Sequence, residues 1–541
     1  MVFWPVLAGD LVYDDELILR QNPALRDAEI GELLTSPFFV EQIGYYRPVA
    51  AVLMATAWQL GGVTGVHVLA LLVHALAGAV AFGLARALLG RPWPAALAAA
   101  MFLLHPAQVE SVAWASAVTG PLAGLFVLLA VRAACGARSR PLLAAGWWMV
   151  ALLCKESAVA GLPLIVGVAA WGAGAGRPRW RWLLAAFAVA FAIWAALRLA
   201  LLAAPLGATA PVVDGPDAWR RISAPAELFL RHLLLLVAPY PCTPFHEFRT
   251  VIAPTTALAW LAAAIATAAA LALLLGRAAP RLRIALLFAL APVLPHLVDF
   301  RVAGHYPLAE RYLYLATFGF GLLLAMPRWG RWHFVPWALA LVFGLASFDQ
   351  SFVWRDQRQL VEHGIGHAPR DPLLAVMAGN FELAATHGGS DIAPLDRARA
   401  AFERALELAS GYGSAAVTRK ARADATLGLA WCELYHQQYR RKFDGERLVA
   451  HFRAALACDE SIAAAWVGLG VAESIAHGPA AAEPALRRAL ALDDRCAEAW
   501  YYLADLQLGR GQREAARVSL ERALACNPDL EAARELQARA R

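Results

Sequence analysis

The side chains best suited to chemistry lie in four short stretches between long apolar segments. They read Tyr13-Asp14-Asp15-Glu16 followed by Tyr45-Tyr46-Arg47-Pro48, His105-Pro106 followed by Glu110 and Trp114, Cys154-Lys155-Glu156-Ser157, and Glu310-Arg311-Tyr312-Leu313-Tyr314. Ionisable groups in or beside membrane segments are costly to bury and therefore mark candidate functional sites. A wall of carboxylates with one lysine and two arginines suits a site for an anionic lipid headgroup and a hydroxyl nucleophile.

Each of these stretches also has an ordinary structural explanation. Adjacent carboxylates in a loop are usually solvated, and the neighbours Lys155-Glu156 and Glu310-Arg311 can form ion pairs at helix ends. His105 before Pro106 can simply begin a helix. For any one stretch alone, the structural explanation is stronger than the functional one. Four such stretches at the same surface together favour a functional site.

The composition divides the chain into two parts. Of the 541 residues, 60% are hydrophobic and 17% are charged, against about 25% charged in a typical soluble protein. Residues 1–350 hold 24 Lys+Arg and 17 Asp+Glu, whereas residues 351–541 hold 24 and 25. This split excludes a single soluble domain, and the second part has no basic stripe that would bind nucleic acid.

Apolar segments recur through the first part. They cover 67–89, 117–134, 182–204, 255–275, 283–299, 311–326 and 332–350, with shorter ones at 92–104, 141–154 and 157–173. About 20 apolar residues are needed to cross a bilayer, so the shorter segments are weaker candidates individually. We expect the segment 226–241 to lie on the surface or to re-enter, because a full crossing would place the arginines at 277–283 outside.

Arginines predict the orientation of these segments. Thirteen arginines occupy junctions without any acidic residue, at positions 86, 91, 132, 138, 140, 177, 179, 181, 277, 281, 283, 328 and 331. Short loops rich in Lys and Arg stay cytoplasmic, so the four chemical stretches and the C-terminal part are expected outside. The first outer loop, residues 9–44, follows only eight residues, so we expect a first transmembrane helix upstream. The alternative is a peripheral N-terminus.

Repeats organise the C-terminal part. Ala455-Leu456, Ala489-Leu490 and Ala523-Leu524 recur every 34 residues, as do Trp466 and Trp500. With the closing Pro528, this matches the tetratricopeptide pattern of two antiparallel helices per unit. We expect the two tryptophans to be buried between helices, at equivalent positions on the first helices of successive units. The preceding unit is 50 residues long, so we expect longer helices or a loop around 439–447. Helical pairs are expected to begin near Asp371.

The seven cysteines predict neither a disulfide framework nor a metal site. Cys458 and Cys526 occupy the same position of their repeats, which Leu492 occupies in the repeat between them, and are interpreted as small core residues. The Cys and His residues lack the spacing of a zinc site, and we expect neither a metal nor a cofactor.

In combination, these motifs resemble the transmembrane and tetratricopeptide-repeat-containing protein O-mannosyltransferases and their bacterial relatives. The motifs that carry the resemblance are Tyr-Asp-Asp with Asn22-Pro23, Tyr-Tyr-Arg-Pro, His-Pro-x-x-x-Glu-x-x-x-Trp, Lys-Glu-Ser and Glu-Arg-Tyr-Leu-Tyr, followed by the repeats. The resemblance covers residues 9–541 and implies an all-α protein: a polytopic GT-C-like membrane helix bundle followed by an α-solenoid. It also implies an inverting transfer from a polyprenyl-phosphate sugar, with the acidic motif at Asp14 and Asp15. The absent first helix departs from the family pattern.

The roles of the residues follow from that chemistry. A carboxylate must take the proton of the acceptor hydroxyl, for which Asp14 is the first choice and Asp15 the second. Cations must stabilise the departing phosphate, and the available outer cations, in order of preference, are Arg311, Lys155 and Arg47. The residues expected to orient these groups or to contact the sugar are His105, Glu110, Glu156 and Glu310.

The sequence thus predicts three regions and one main function. Residues 1–350 are a GT-C-like transmembrane glycosyltransferase domain, 351–394 connect, and 395–541 are tetratricopeptide repeats. The expected reaction moves a mannose-like hexose from a lipid phosphate to a hydroxyl, on a protein, at the outer face of a bacterial inner membrane. An oligosaccharide ligase or polymerase would instead place its key groups in a large later loop. A non-catalytic scaffold would not gather carboxylates at one surface.

Overall fold

The computed structural model describes most of the chain. The described residues are 2–20, 22–38, 45–135, 139–171, 180–202, 218–239, 242–246, 278–295, 306, 308–386, 392–410 and 415–540, with a few single positions between 267 and 276. Within these ranges the chain is helical and contains no β-strand, which confirms the expected all-α class. The chain forms two compact units, Met1–His367 and Ala368–Arg541.

The first unit contains eleven helices of ten or more residues among its described residues. They are α1 Pro48–Leu89, α2 Pro92–Leu104, α3 Thr119–Ala134, α4 Pro141–Cys154, α5 Gly161–Trp171, α6 Trp180–Leu201, α7 Ala218–Val237, α8 Pro280–Leu290, α9 Ala316–Ala325, α10 Phe334–Val353 and α11 Gln357–His367. Short 3₁₀ helices join several of them. The expected apolar segments overlap these helices, except 255–275, which lies almost wholly outside the described residues. Four of the thirteen arginines, at 138, 177, 179 and 277, also lie outside them.

Four described helices are long and apolar enough to cross a membrane. They are Pro48–Leu89, Ala115–Ala134, Arg181–Leu201 and Gly330–Val353, and the bent pair Pro92–Leu104 with Pro106–Ala113 makes a fifth if it crosses as one. Helix α1 has 42 residues, about twice what one crossing needs. It is broken at Gly61–Gly62, where Gly62 has φ 57° and ψ −138°, a conformation open in practice only to glycine.

Proline fixes where several helices begin. Pro48, Pro92, Pro141 and Pro280 each occupy the first turn, where the missing N–H has no intrahelical acceptor to lose. Each of the four residues before these prolines is therefore the end of a loop. Arg47 is one of them, and its position at the start of α1 follows directly from Pro48.

Glycines allow close packing around α9. A Cβ on Gly319 would overlap the backbone of α8, and one on Gly321 would lie 2.6 Å from the Ala98 carbonyl oxygen on α2. Small residues at such contacts let apolar helices approach closely where no hydrophobic force drives association in lipid. Helix α9 is thereby held between α2 and α8, and it begins just after the stretch that carries Glu310 and Arg311.

The second unit consists of nine described helices in antiparallel succession. They are α12 Pro372–Ala384, α13 Ala393–Ser410, α14 Ala415–Tyr439, α15 Gly445–Cys458, α16 Ala463–His477, α17 Glu483–Leu492, α18 Ala497–Gly509, α19 Arg513–Cys526 and α20 Glu531–Ala540. Asp371 caps α12, its Oδ1 accepting the Leu373 N–H at 2.8 Å. Helix α14 has 25 residues against 15 in α16, so the longer unit owes its extra length largely to this helix.

The repeat tryptophans are equivalent but are not buried as the sequence analysis expects. Nε1 of Trp466 donates to the Glu460 carbonyl at 2.9 Å, and Nε1 of Trp500 donates to the Asp494 carbonyl at 2.7 Å. Both rings are only half-buried, because each indole must reach the preceding loop with its N–H. The interpretation of Cys458 as a core residue is wrong, since it ends α15 and is exposed.

The buried contact between successive repeats is instead made by Phe452. Its side chain on α15 is fully buried, lies 5.2 Å from the Trp431 ring on α14, and packs against Gly468 on α16. We expect Phe452→Ala to destabilise the repeat unit by about 3–5 kcal/mol, because it leaves a cavity between three helices. Urea-dependent pulse proteolysis of the full-length protein in detergent measures this loss.

A matched control lies on the exposed side of the same unit. Val518 on α19 is 50% exposed, and Val518→Ala should change the same stability by no more than about 0.5 kcal/mol. Equal effects of the two substitutions would contradict the packing of Phe452 described above.

Candidate functional site

Two buried ion pairs form the frame of the candidate site. The first joins Arg47, at the start of α1, to Glu156, in the 3₁₀ helix that follows α4. Nε and Nη2 of Arg47 donate to the two carboxylate oxygens of Glu156 at 3.0 and 2.6 Å. The guanidinium also lies 4.4 Å from the Tyr45 ring centre. This bidentate, ring-stacked geometry is specific to arginine.

The second ion pair joins Arg311 to Glu110. One oxygen of the Glu110 carboxylate contacts Nη1 of Arg311, and the other accepts the Arg311 backbone N–H at 2.8 Å. The guanidinium lies over the rings of Tyr312 at 4.9 Å and Trp114 at 5.5 Å. Glu110 therefore fixes both the backbone and the side chain of Arg311.

These pairings differ from the alternative that the sequence offered. Lys155-Glu156 and Glu310-Arg311 were candidates for ion pairs between chain neighbours. Glu156 instead pairs with an arginine 109 positions away, and Arg311 pairs with a glutamate 201 positions away. Neighbours in an extended or 3₁₀ segment point in different directions, which leaves each of these side chains available to another element.

Lys155 and Arg311 line one cavity. The cavity has a volume of about 50 Å³, several times the ~10–15 Å³ that one water needs, and Ser157, Tyr312 and Tyr314 also line it. Gly120 on α3 forms one wall, and a Cβ there would lie 3.6 Å from Nζ of Lys155. Among the described residues, the side chain of Lys155 makes no hydrogen bond or ion pair.

The surroundings of Lys155 change its pKa. Burial lowers the pKa of Lys155 to about 7, and the positive charges of Arg47 and Arg311 act in the same direction. Glu156 and Glu110 raise it, but their charges are already satisfied by the two arginines. The ammonium group of Lys155 is thus desolvated without a carboxylate bonded to it.

The first loop is fixed by Tyr13 and Asp15. Tyr13 has a left-handed backbone (φ 57°), uncommon for a residue other than glycine. Its ring lies edge-on to Trp114 at 5.3 Å and to Phe245 at 6.0 Å. Asp15 is fully buried, and its Oδ1 accepts the Ser116 backbone N–H at 2.8 Å. The loop is therefore attached to the segment that carries Glu110 and Trp114, the ring over which Arg311 lies.

Asp14 and Asp15 occupy different environments. Asp15 is inaccessible, and burial raises its pKa to about 7 although the Ser116 and Val12 N–H groups act to lower it. Asp14 is only half-buried. Of the two carboxylates, Asp14 is the one a substrate can reach, whereas Asp15 holds the loop.

Glu310 contacts a residue that the sequence analysis missed. Its Oε1 accepts a hydrogen bond from Nε2 of His246 at 2.8 Å and from the Thr243 backbone N–H at 3.1 Å. Burial acts to lower the pKa of His246, but the Glu310 carboxylate outweighs it and raises that pKa. The sequence around His246 did not indicate a functional residue, because its partner Glu310 lies 64 positions away along the chain.

His105 has a structural position. Its Nδ1 accepts the Ala107 N–H at 3.1 Å, and its Nε2 lies 3.0 Å from the Leu236 carbonyl oxygen on α7. Both ring nitrogens are used by backbone groups, and the side chain is fully buried. This is the helix-start explanation raised from the sequence, and it leaves His105 no ring nitrogen for a sugar.

Among the described residues, no three His, Cys, Asp or Glu side chains converge as a metal-binding group would. The charged groups of the site are instead arranged as carboxylate–arginine pairs around one lysine. The fold and site thus define an all-helical protein whose first unit gathers ionisable groups at helix ends and whose second unit is a helical array.

Comparison with known proteins identifies the second unit more closely. The tetratricopeptide repeat family model matches residues 476–540, so this part of the chain is a tetratricopeptide-repeat segment. No curated protein matches the chain. The APC/C hetero-tetramer Cut9–Hcn1 aligns at 14% identity over 99% of this chain and 98% of that chain, with a TM-score of 0.29. Yeast Tom70 aligns at 12% identity over 82% and 91%, with a TM-score of 0.24. Scores this low do not establish a shared overall fold.

Proposed function

We propose that the protein is an inverting glycosyltransferase that moves a mannose-like hexose from a polyprenyl phosphate to a hydroxyl group. One observation carries the proposal: Arg47, Glu110, Lys155, Glu156 and Arg311 come from four separate stretches of the chain and form one electrostatically interacting cluster. Two of its cations, Lys155 and Arg311, line the same cavity. A membrane anchor for the repeats needs no such cluster, because buried ionisable groups are costly to maintain.

The chemistry is a single displacement at the anomeric carbon. The acceptor oxygen forms a bond to that carbon, the bond from the carbon to the phosphate oxygen breaks, and the phosphate leaves with the electron pair. A carboxylate takes the proton of the acceptor hydroxyl. Cations stabilise the charge that returns to the phosphate. A lipid phosphate is already a good leaving group, so the proposed reaction requires no metal.

Asp14 is the proposed proton acceptor. It is more accessible than Asp15, and its neighbour Tyr13 contacts Trp114, whose ring lies 5.5 Å from the Arg311 guanidinium. This short chain of contacts connects the first loop to the cation that the sequence analysis ranked first for the donor phosphate. The remaining cations, Lys155 and Arg47, belong to the same cluster.

We propose that the site and the repeats face the outer side of a bacterial inner membrane. The test uses Glu29→Cys in the first loop, Arg331→Cys at an arginine-rich junction, and the exposed native Cys458 of the repeats. Both introduced cysteines are placed in a Cys458→Ser background, and Cys458 itself is tested in the wild-type protein. An impermeant maleimide added to spheroplasts should label positions 29 and 458 and leave position 331 unlabelled. Labelling of position 331 in intact spheroplasts would contradict the orientation.

The repeats are proposed to bind a protein that is either the acceptor or its carrier. Tetratricopeptide arrays are stacked helical pairs with extended binding surfaces. An acceptor held by the second unit would present its Ser or Thr hydroxyl groups at high local concentration to the first.

Transfer by the purified protein tests the function directly. The wild-type protein in detergent should transfer hexose from a polyprenyl-phosphate sugar to proteins of a deletion strain, and mass spectrometry should show the added hexose. Envelope proteins of the deletion strain should lack the same modification. If the strain keeps every modification and the protein transfers nothing, the scaffold alternative replaces this proposal. Transfer of a preassembled oligosaccharide would favour the ligase alternative.

A further inference from the structure

The two arginines of the site and its lysine differ in how their charges are neutralised. The Arg47 guanidinium is bound through two nitrogens by Glu156, and Arg311 is bound through its side chain and its backbone by Glu110. Each arginine has therefore already found the anion that its geometry favours. A phosphate that displaced either carboxylate would leave that carboxylate buried and unpaired, which is costly.

Lys155 is in the opposite situation. Its ammonium group makes no hydrogen bond or ion pair within the described part of the chain. The side chain lines the cavity of about 50 Å³, and Gly120 leaves open the space beside Nζ. The cavity also contains the hydroxyl-bearing side chains of Ser157 and Tyr312. A desolvated ammonium next to an empty space with hydroxyl groups is a binding arrangement for an anion.

We propose that Lys155 binds the phosphodiester of a lipid-linked donor in this cavity, while Arg47 and Arg311 form its fixed frame. The inference rests on the proposed function and reassigns the principal phosphate contact, since the sequence analysis ranked Arg311 first. The phosphodiester supplies the one negative charge that the cluster lacks beside Lys155. The lipid chain distinguishes this ligand from a free phosphate.

Binding then depends on pH through Lys155. Two arginines and two glutamates act on the charge of Lys155: Arg47 at the start of α1, Glu156 in the 3₁₀ helix directly after Lys155, and the paired residues Glu110 and Arg311. Arg198 on α6 lies near Arg47 and Glu156. A phosphodiester does not titrate between pH 5 and 9. Because burial lowers the pKa of Lys155 to about 7, its charged fraction falls about 100-fold between pH 6 and pH 9. Apparent affinity should fall by the same factor, since only the charged form binds.

The experiment measures binding of farnesyl methyl phosphate, a sugar-free lipid phosphodiester, to the full-length protein in detergent. Wild-type affinity should fall by about 100-fold from pH 6 to pH 9. Lys155→Met should weaken binding at pH 6 by at least tenfold, and Lys155→Arg should bind with little change across the range, because arginine stays charged. Lys442→Met, at an exposed lysine of the repeat unit, is the matched control and should behave as wild type.

Three outcomes would overturn the inference. The first is unchanged binding in Lys155→Met, and the second is a wild-type pH dependence that persists in Lys155→Arg. The third is equal affinity for dimethyl phosphate, which would make the cavity a site for small anions rather than lipid donors. If Lys155 had a purely structural role, Lys155→Met would have a lower melting temperature, but the pH dependence of binding in Lys155→Arg would be the same as in the wild type. Because the probe carries no sugar, failure of hexose transfer is measured separately.

Discussion

Asp14→Asn should lower the rate of hexose transfer by about 10²–10⁴-fold, with donor binding almost unchanged. Asparagine keeps the shape of the side chain but does not accept the acceptor's proton, and general base catalysis contributes this range of rate. In the proposed site the donor phosphate binds Lys155 within the frame of the paired arginines, and this change leaves all three residues intact. Turnover in detergent and binding of farnesyl methyl phosphate, measured separately, check both parts of the expectation.

Asp15→Asn is the matched control for Asp14→Asn. Asp15 is buried, and its two carboxylate oxygens accept the Val12 and Ser116 N–H groups. An asparagine at this position has only one side-chain oxygen and can keep only one of these hydrogen bonds. We expect a lower melting temperature and turnover within about tenfold of wild type for the folded fraction. Loss of turnover in Asp15→Asn with near-normal Asp14→Asn would identify Asp15 as the base. Normal turnover in both would remove this loop from the catalytic machinery.

Arg311→Ala should destabilise the first unit by about 3–5 kcal/mol, in addition to any effect on transfer. Glu110 is almost fully buried, and removal of its partner leaves a carboxylate without a counter-charge. Thermal unfolding in detergent, compared at equal protein and detergent concentrations, measures the loss.

The double variant Arg311→Met with Glu110→Gln separates charge burial from lost packing. It removes both charges while retaining similar volumes, so most of the lost stability should return. Transfer should stay low, because the double variant lacks the guanidinium that lines the cavity beside Lys155. A double variant as unstable as Arg311→Ala would show that the uncompensated charge of Glu110 is not the cause.

The helices were largely predictable from the sequence because they rest on local signals. Apolar segments of defined length, prolines at helix starts and the 34-residue period each act over fewer than about forty neighbouring residues. The half-burial of Trp466 and Trp500 was not predictable in this way. It depends on the loop carbonyl that each indole N–H reaches, and periodicity contains no information about that loop.

The arginines and the lysine of the cluster were predictable from the sequence, but their pairing was not. Motif residues at helix ends pointed to Arg47, Lys155 and Arg311, yet which carboxylate meets which arginine is decided by how helices pack across the unit. His246 illustrates the same limit, since it contacts the site through Glu310, 64 positions along the chain. The lack of a carboxylate partner for the Lys155 side chain becomes evident only once both arginines are seen to be paired.

The break in α1 at Gly61–Gly62 constrains the number of residues in the segment Pro48–Leu60 more strictly than it constrains their types. From Pro48 to Leu60 the helix continues for thirteen residues, about 20 Å, between Arg47 and Gly61–Gly62. Inserting or deleting one residue there would turn Arg47 by about 100° about the helix axis and shift it by about 1.5 Å. Its guanidinium would then point away from Glu156, although every side chain of the site remained in the protein. Natural variants of this segment should therefore tolerate substitutions at its exposed positions far more readily than single-residue insertions or deletions.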